Sequence, residues 1–258
     1  MKKLSNRTIV RDSFRGLLFL ILSFSLLSPF EVYAEYTLLY NKEEMEILKS
    51  LAEKGNPEAM YVLGKAYSNH HAMEEYGVEF DFYLGEKYYR EASKKGFGPA
   101  TYELRGWCYE GWICQFDIIE KAANQNCPIA LLWMAMVYSG GSNLYKVKPN
   151  QKKAIEYFKR AEATNDDEVL FEIGIAIKED DMPGRKKNIN EGIEYLKRSA
   201  EQGNPDAAEE LSNIYKNGEG VSVNLEEAKK WEENHNKLRT EYKQRKLLEE
   251  KKRLGIIK

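Results

Sequence analysis

The chain has 258 residues, enough for one large domain or for an elongated array without a single central core. Its 39 basic and 41 acidic side chains give a net charge of −2, which lacks the basic excess of nucleic-acid-binding proteins. Aromatic residues make up 12% and charged residues 31%, a mixture typical of a folded helical protein and too aromatic for a disordered one.

The first 34 residues have the organisation of a secretory signal peptide. Five basic residues precede an apolar run of 11 residues, Leu17–Leu27, and a break at Pro29. Val32 and Ala34 place small residues where a signal peptidase reads, so we expect cleavage after Ala34 and a periplasmic mature chain with net charge −5. The alternative is an uncleaved anchor, but a membrane-spanning helix needs roughly 20 apolar residues. We therefore expect no stable membrane anchor after cleavage.

Repeats with helical spacing dominate the rest of the chain. Five anchor positions, 41, 30, 39 and 38 residues apart, are each followed after 4, 8 and 12 residues by small or apolar side chains. The anchors are Gly55, Gly96, Asn126, Asn165 and Gly203. A spacing of four marks one stripe of a helix, and a second such column precedes the anchors. The sequence therefore predicts an all-α, right-handed α/α solenoid of stacked helix pairs over residues 55–235, with a capping helix in residues 35–54.

Three groups of residues carry a family resemblance. They are Ala59 with Leu63-Gly64 and Tyr67, Lys153-Ala154 with Tyr157-Phe158 and Ala161, and Gly218-Glu219-Gly220-Val221 with Ala228 and Trp231. These groups resemble the Sel-one-like repeat, a family related to tetratricopeptide repeats. The resemblance covers about residues 43–235. Its middle departs from the pattern, because Arg105 replaces a glycine and Asn126 and Asn165 replace the anchor glycine. The resemblance implies a scaffold that binds another protein, and it implies no reaction.

The three cysteines differ in which pairs geometry allows. Cys108 lies near the end of one predicted helix, Cys114 at the start of its partner, and Cys127 at the start of the next unit. A helix of about 18–20 Å separates Cys114 from Cys127, whereas a disulfide needs α-carbons within about 7 Å. Only Cys108 and Cys114 could pair, across a tight turn, and the periplasm would permit the bond. Three free thiols are the alternative.

One column of the predicted first helices suggests a partner-binding groove. It lies about 200° round the helix from the core stripe and is mostly apolar. We call it the first-helix column; it consists of Tyr61, Tyr102, Leu132, Met136, Phe171 and Ile175. In the resembled family, first helices line the concave face, where aromatic anchors would dominate affinity for a protein. Ordinary packing between successive first helices is the alternative.

The last segment, residues 236–258, is dense in lysine, arginine and glutamate and has few apolar residues. It continues the pattern of a long final helix. We expect it to be solvated and to fray toward Lys258.

No catalytic, cofactor-binding or metal-binding residue is predicted. His70 and His71 are adjacent and His235 is distant, which is not the spacing of zinc ligands. Residues 139–142 do not form a nucleophile elbow, and no phosphate-binding glycine pattern is present. We therefore expect a non-enzyme. The rival is a β-lactamase-like hydrolase, but the regularly repeated paired cysteines of relatives so described are missing here.

The exported Sel-one-like proteins that this chain resembles fall into two functional groups. One group comprises immunity proteins that neutralise antibacterial effectors, including phospholipases delivered by type VI secretion. The other comprises adaptors or regulators of envelope complexes. The small array, with no catalytic or membrane domain beside it in this sequence, favours an immunity protein with a toxic effector as partner. This expectation rests on likeness of fold.

Overall fold

The helices described by the computed structural model lie within residues 39–108, 112–179 and 187–258. The predicted signal peptide and its cleavage site lie outside these described residues. The α-helices are α1 (Lys42–Glu53), α2 (Pro57–Ser68), α3 (Ala72–Tyr76), α4 (Phe82–Lys94), α5 (Gly98–Glu103), α6 (Trp112–Asn124), α7 (Pro128–Gly140), α8 (Gln151–Ala163), α9 (Asp167–Glu179), α10 (Ile189–Glu201), α11 (Pro205–Asn217) and α12 (Leu225–Arg253). A 3-10 helix, Leu104–Trp107, follows α5.

These helices stack as antiparallel pairs. The closest pairs are α2 with α4, α7 with α8, α9 with α10, and α11 with the first part of α12. Helices α5 and α6 form a looser pair, and α1 packs on α2 as the expected capping helix. The all-α solenoid of stacked helix pairs is confirmed.

Three clusters of buried apolar side chains run along the stack. The N-terminal cluster includes Leu48 and Leu63, the central cluster Leu131 and Ile173, and the C-terminal cluster Leu196, Leu211 and Leu238. Each cluster is lined by helices of more than one pair, because a single helix pair cannot bury both of its apolar faces.

The turn before each first helix uses the anchor residue in a left-handed backbone conformation. The φ angles are +90° at Gly55, +84° at Gly96, +60° at Asn126, +52° at Asn165 and +95° at Gly203. At the first and last of these turns, Asn56 and Asn204 then cap α2 and α11, and a proline occupies the first helical turn. The anchor column of the sequence is therefore a column of turns that begin new helices.

Glycines allow the two helices of a pair to approach. A Cβ atom added to Gly64 on α2 would lie 2.7 Å from the ring of Tyr89 on α4. One added to Gly174 on α9 would lie 2.9 Å from Leu196 on α10. In the looser α5–α6 pair this glycine is replaced by Arg105, and α5 gives way to the 3-10 helix.

The C-terminal helix differs most from the expectation. Helix α12 has 29 residues, about 43 Å in length, and no break separates residues 236–258 from the repeat region. The expectation of a solvated, fraying end is wrong, because every fourth residue from Leu238 onward contacts the solenoid. This inward column consists of Leu238, Tyr242, Lys246, Glu250 and Leu254.

Candidate functional site

Helix α12 covers one end of the first-helix column at α9. Tyr242 Oη donates a hydrogen bond to the Asp167 carboxylate at 3.1 Å, and the Lys246 ammonium pairs with the same carboxylate. Asp167 lies one helical turn before Phe171, so it shares that face of α9. Phe171 and Ile175 pack against the C-terminal cluster. Helix α12 therefore contacts the face of α9 that the sequence pattern predicted to bind a partner protein.

The other end of α12 reaches α1 and α2. Glu250 accepts hydrogen bonds from Lys65 Nζ at 2.9 Å and from Tyr40 Oη at 2.6 Å. Burial, followed by the charge of Glu250, raises the pKa of Tyr40 far above its usual value. Lys65 lies one turn after Tyr61, and Tyr61 packs against the N-terminal cluster. Leu254, the residue that caps the end of α12, belongs to this cluster. One helix thus joins the last repeat to the first.

The structure does not bring the first-helix column together as one open groove. Leu132 is only 3% exposed and belongs to the central cluster, so its assignment to a groove is corrected. Its helix, α7, is apolar on nearly every side, and sequence spacing alone cannot tell which side faces the core. Tyr102 is half-buried, with the Arg105 guanidinium 3.9 Å from its ring centroid. Partner binding by Tyr61, Tyr102, Phe171 and Ile175 stays a prediction.

Met136 is 43% exposed and lines a separate cleft of about 440 Å³ at the end of α7. The other lining residues of this α7 cleft are Trp133, Val137, Ser139, Gly140, Gly141, Ser142 and Tyr145. The Trp133 and Tyr145 rings meet edge to face, with centroids 5.2 Å apart. Edge-to-face packing is a favourable geometry for a pair of aromatic rings, so these two rings form a stable wall of the cleft.

A tight hairpin forms one wall of the α7 cleft. Ser142 and Val147 exchange two backbone hydrogen bonds, each 2.8 Å long. Between them, Leu144 is 49% exposed, and Lys146 adopts a φ of +55°. Sequence reasoning missed this site, because it followed helix stripes and gave the connection between α7 and α8 no role. The signal that could have found it is a run of 35 residues, 121–155, without an acidic side chain.

The cysteine pair that the sequence allowed, Cys108 with Cys114, is the pair that the structure joins. Cys108 and Cys114 are joined by a disulfide, with α-carbons 6.0 Å apart. Cys127 is a buried free thiol at the start of α7, and its burial raises its pKa. The disulfide bridges the end of the 3-10 helix and the first turn of α6.

The described residues contain no group of three or more histidine, cysteine, aspartate or glutamate side chains placed to hold a metal ion. The histidines have separate surroundings: His70 stacks on Phe80, and His235 Nδ1 lies 2.9 Å from the Pro205 carbonyl oxygen. Within the same part of the chain, no helix combines the length and apolarity needed to cross a membrane.

Comparison with known families identifies the repeat. The Sel1 repeat model matches residues 57–97, 128–163, 170–204 and 205–231, together more than half of the sequence. The chain belongs to the Sel1 repeat family. The stretch between the first two matches contains Arg105 and the disulfide, where the sequence departs from the repeat pattern.

Known relatives extend this result. The chain is 26% identical over 208 residues to the chitin synthase regulator SKT5 of Saccharomyces cerevisiae, which is 75% of this chain and 29% of the regulator. It therefore spans less than a third of that curated relative.

Solved structures show the same fold. A Sel1 repeat protein from Oxalobacter formigenes has a TM-score of 0.53 at 22% identity, covering 76% of this chain and 83% of the other. For the immunity protein Pa5087 from Pseudomonas aeruginosa, the TM-score is 0.57 at 17% identity, with 76% and 74% covered. At these identities the structural likenesses show the fold.

Proposed function

We propose that this chain is an exported, non-enzymatic scaffold that binds a toxic effector protein in the periplasm and neutralises it. The observation that carries the proposal is the likeness of fold to an immunity protein across about three quarters of both chains. A solenoid offers an extended surface for a folded partner without needing a catalytic centre. Its residues 1–34 have the pattern of a signal that would deliver it to the compartment where such an effector acts.

A protection assay tests this function. The full chain is co-expressed in a bacterial host with the product of a neighbouring gene, such as a phospholipase, directed to the periplasm. We expect host survival and a stoichiometric complex by size-exclusion chromatography. The variant Ile21→Arg, which interrupts the apolar run, should lose both export and protection, whereas Ser23→Ala should keep both. Toxicity that the exported full chain does not relieve, with no complex formed, counts against an immunity protein.

Regulation of an envelope complex is the second candidate. It is favoured by the identity to a chitin synthase regulator, which extends over 75% of this chain. A regulator should copurify with an envelope assembly, and its deletion should alter the envelope in the absence of any toxin. Deletion of an immunity protein should instead sensitise cells only where the effector is present.

A nitrocefin assay tests the rival β-lactamase-like hydrolase. Turnover of nitrocefin by the purified chain would favour the hydrolase; we expect none above background.

A further inference from the structure

The α7 cleft lies in a long stretch of the chain that has no acidic side chain. Residues 121–155 contain five lysines and no acidic side chain, although the whole sequence holds 41 aspartates and glutamates. Four of these lysines lie close together in the sequence: Lys146 in the cleft hairpin, Lys148 just after it, and Lys152 and Lys153 in the first turn of α8. A chain with a net charge of −2 therefore presents a local positive surface here.

Three of these lysines have no carboxylate partner among the described residues. Lys146, Lys148 and Lys152 are exposed and make no ion pair there. Lys153 differs, because its ammonium donates to Tyr138 Oη at 3.1 Å, and that hydroxyl donates to Glu120 at 3.3 Å. Glu120 and the exposed Glu156 are the acidic residues on either side of residues 121–155, and neither forms an ion pair with the three exposed lysines. We call Lys146, Lys148 and Lys152 the lysine rim.

The cleft beside the lysine rim is lined by aromatic and aliphatic side chains together with two serines, Ser139 and Ser142. Met136 is its exposed apolar side chain, and the Trp133 and Tyr145 rings form its aromatic walls. Leu144 is exposed on the adjoining hairpin. Phe116 supports Tyr145 from behind, with ring centroids 5.7 Å apart. An aromatic centre with a polar rim is typical of protein interfaces, in which a few central aromatic residues supply most of the binding energy.

The hairpin holds one of these lysines in an unusual backbone conformation. Lys146 has a φ of +55°, which favours glycine or asparagine over residues with longer side chains. The Ser142–Val147 backbone pair holds this turn, and the Tyr145 N–H donates to Ser142 Oγ at 3.3 Å. Strained residues that a surrounding structure maintains are concentrated at functional sites. The turn fixes the backbone from which the exposed Lys146 side chain projects.

We propose that the α7 cleft and the lysine rim form a docking surface for an acidic segment of a partner protein. A large apolar side chain of that segment enters the cleft, and aspartates or glutamates on either side of it pair with Lys146, Lys148 and Lys152. Charge complementarity selects this occupant. The proposal rests on the proposed protein-binding function and names the face and the partner chemistry.

A peptide selection tests the docking surface with the full chain. Random 12-residue peptides displayed on phage are selected on the wild-type protein, and enriched peptides are measured by fluorescence anisotropy. We expect acidic residues on both sides of an aromatic residue or leucine. The variant K146E/K148E/K152E should weaken binding at least tenfold. The matched variant K42E/K237E/K243E, which changes three exposed lysines elsewhere, should leave binding unchanged. Circular dichroism verifies that both variants are folded.

The other outcomes separate this proposal from the proposed function. Enriched peptides without acidic residues, or undiminished binding by K146E/K148E/K152E, would overturn the docking surface and leave a protein-binding scaffold that uses another face. A wild-type dimer that dissociates in the same variant would also overturn it, because the occupant would then be a second copy. If the peptides bind as expected and the protection assay fails, the docking surface stands and the immunity role falls.

Discussion

At the scale of single residues, Asn126 and Asn165 show how the repeat replaces its turn glycine. Both hold the left-handed backbone, and each also accepts a side-chain hydrogen bond from an arginine of the following second helix. Arg160 donates to Asn126 Oδ1 at 2.9 Å, and Arg198 donates to Asn165 Oδ1 at 2.8 Å. Asparagine tolerates this conformation better than other residues with a Cβ atom, so the replacement preserves the turn. The hydrogen bond from the arginine also links neighbouring repeat units.

The variant Asn126→Ala tests this account. Alanine keeps the Cβ atom in the left-handed region and loses the hydrogen bond from Arg160, so we expect the free energy of unfolding to fall by about 1–2 kcal/mol. Asn126→Gly loses the same bond, but glycine adopts the left-handed backbone conformation without strain. We therefore expect its free energy of unfolding to fall by about 1 kcal/mol or less. Urea denaturation measures both variants. Equal losses would show that the backbone conformation contributes nothing at this turn.

The disulfide yields a second prediction at this scale. Cys108 and Cys114 close a short loop, and the variant Cys114→Ser should lower the free energy of unfolding by about 2 kcal/mol, because short loops gain least from closure. Thiol titration provides the chemical check. The native chain should react slowly, since burial raises the pKa of Cys127, and the unreduced chain in denaturant should expose one thiol. Three thiols would favour the alternative of unpaired cysteines.

At the scale of helices, α12 explains where sequence reasoning succeeded and where it stopped. The repeat helices could be predicted because each carries a local apolar stripe and a turn residue at fixed spacing. The contacts of α12 could not, because its inward column mixes leucine with tyrosine, lysine and glutamate. Lys246 forms an ion pair with Asp167, 79 residues away in the sequence, and Lys251 forms one with Glu44, 207 residues away. A charged helix is predicted as solvated unless its distant partners are known.

The variant Lys246→Ala tests the attachment of α12. It removes the cation from beside Asp167, whose side chain is 4% exposed, and leaves Tyr242 as a hydrogen-bond donor. Because Lys246 itself is partly exposed, we expect a loss of about 1–2 kcal/mol in the free energy of unfolding. The matched variant Lys243→Ala, on an exposed position of the same helix, should change it by less than about 0.5 kcal/mol. Faster hydrogen exchange in residues 240–253 should accompany the first variant only; similar behaviour of both would mean that the ion pair does not hold the helix.

At the scale of the whole molecule, the last helix changes the character of the solenoid. In a repeat array each unit contacts its neighbours, and stability is approximately a sum over units. Here Leu254 is buried in the N-terminal cluster, and Lys251 pairs with Glu44 at 2.7 Å on the capping helix. The first and last units therefore share contacts. The repeat pattern predicted the units and their order, whereas this closure depends on how the stacked units curve in space.

The response to alkaline pH depends on buried tyrosines, two of which make contacts of α12: Tyr40 donates to Glu250 of α12, and Tyr242 of α12 donates to Asp167 of α9. Burial raises the pKa of Tyr40, Tyr61, Tyr76 and Tyr242, and it raises the pKa of Tyr89 to about 12. Unfolded tyrosines ionise near pH 10, so from that pH upward the unfolded chain releases protons that the folded chain retains. Stability is therefore constant with respect to these groups below about pH 9 and falls as the pH rises through 10 and beyond.

Each such tyrosine contributes a slope of about 1.4 kcal/mol per pH unit above its unfolded pKa, so five should remove several kcal/mol by about pH 11. Urea denaturation at intervals between pH 8 and 11, with tyrosinate absorbance followed in parallel, measures this loss. Tyr89→Phe should reduce the slope between pH 10 and its folded pKa of about 12. Tyr83→Phe is the matched control and should leave the slope unchanged, because that side chain is 80% exposed. A stability that stays level to pH 11, or tyrosinate absorbance that appears near pH 10 in the folded chain, would show that these rings are open to water in solution.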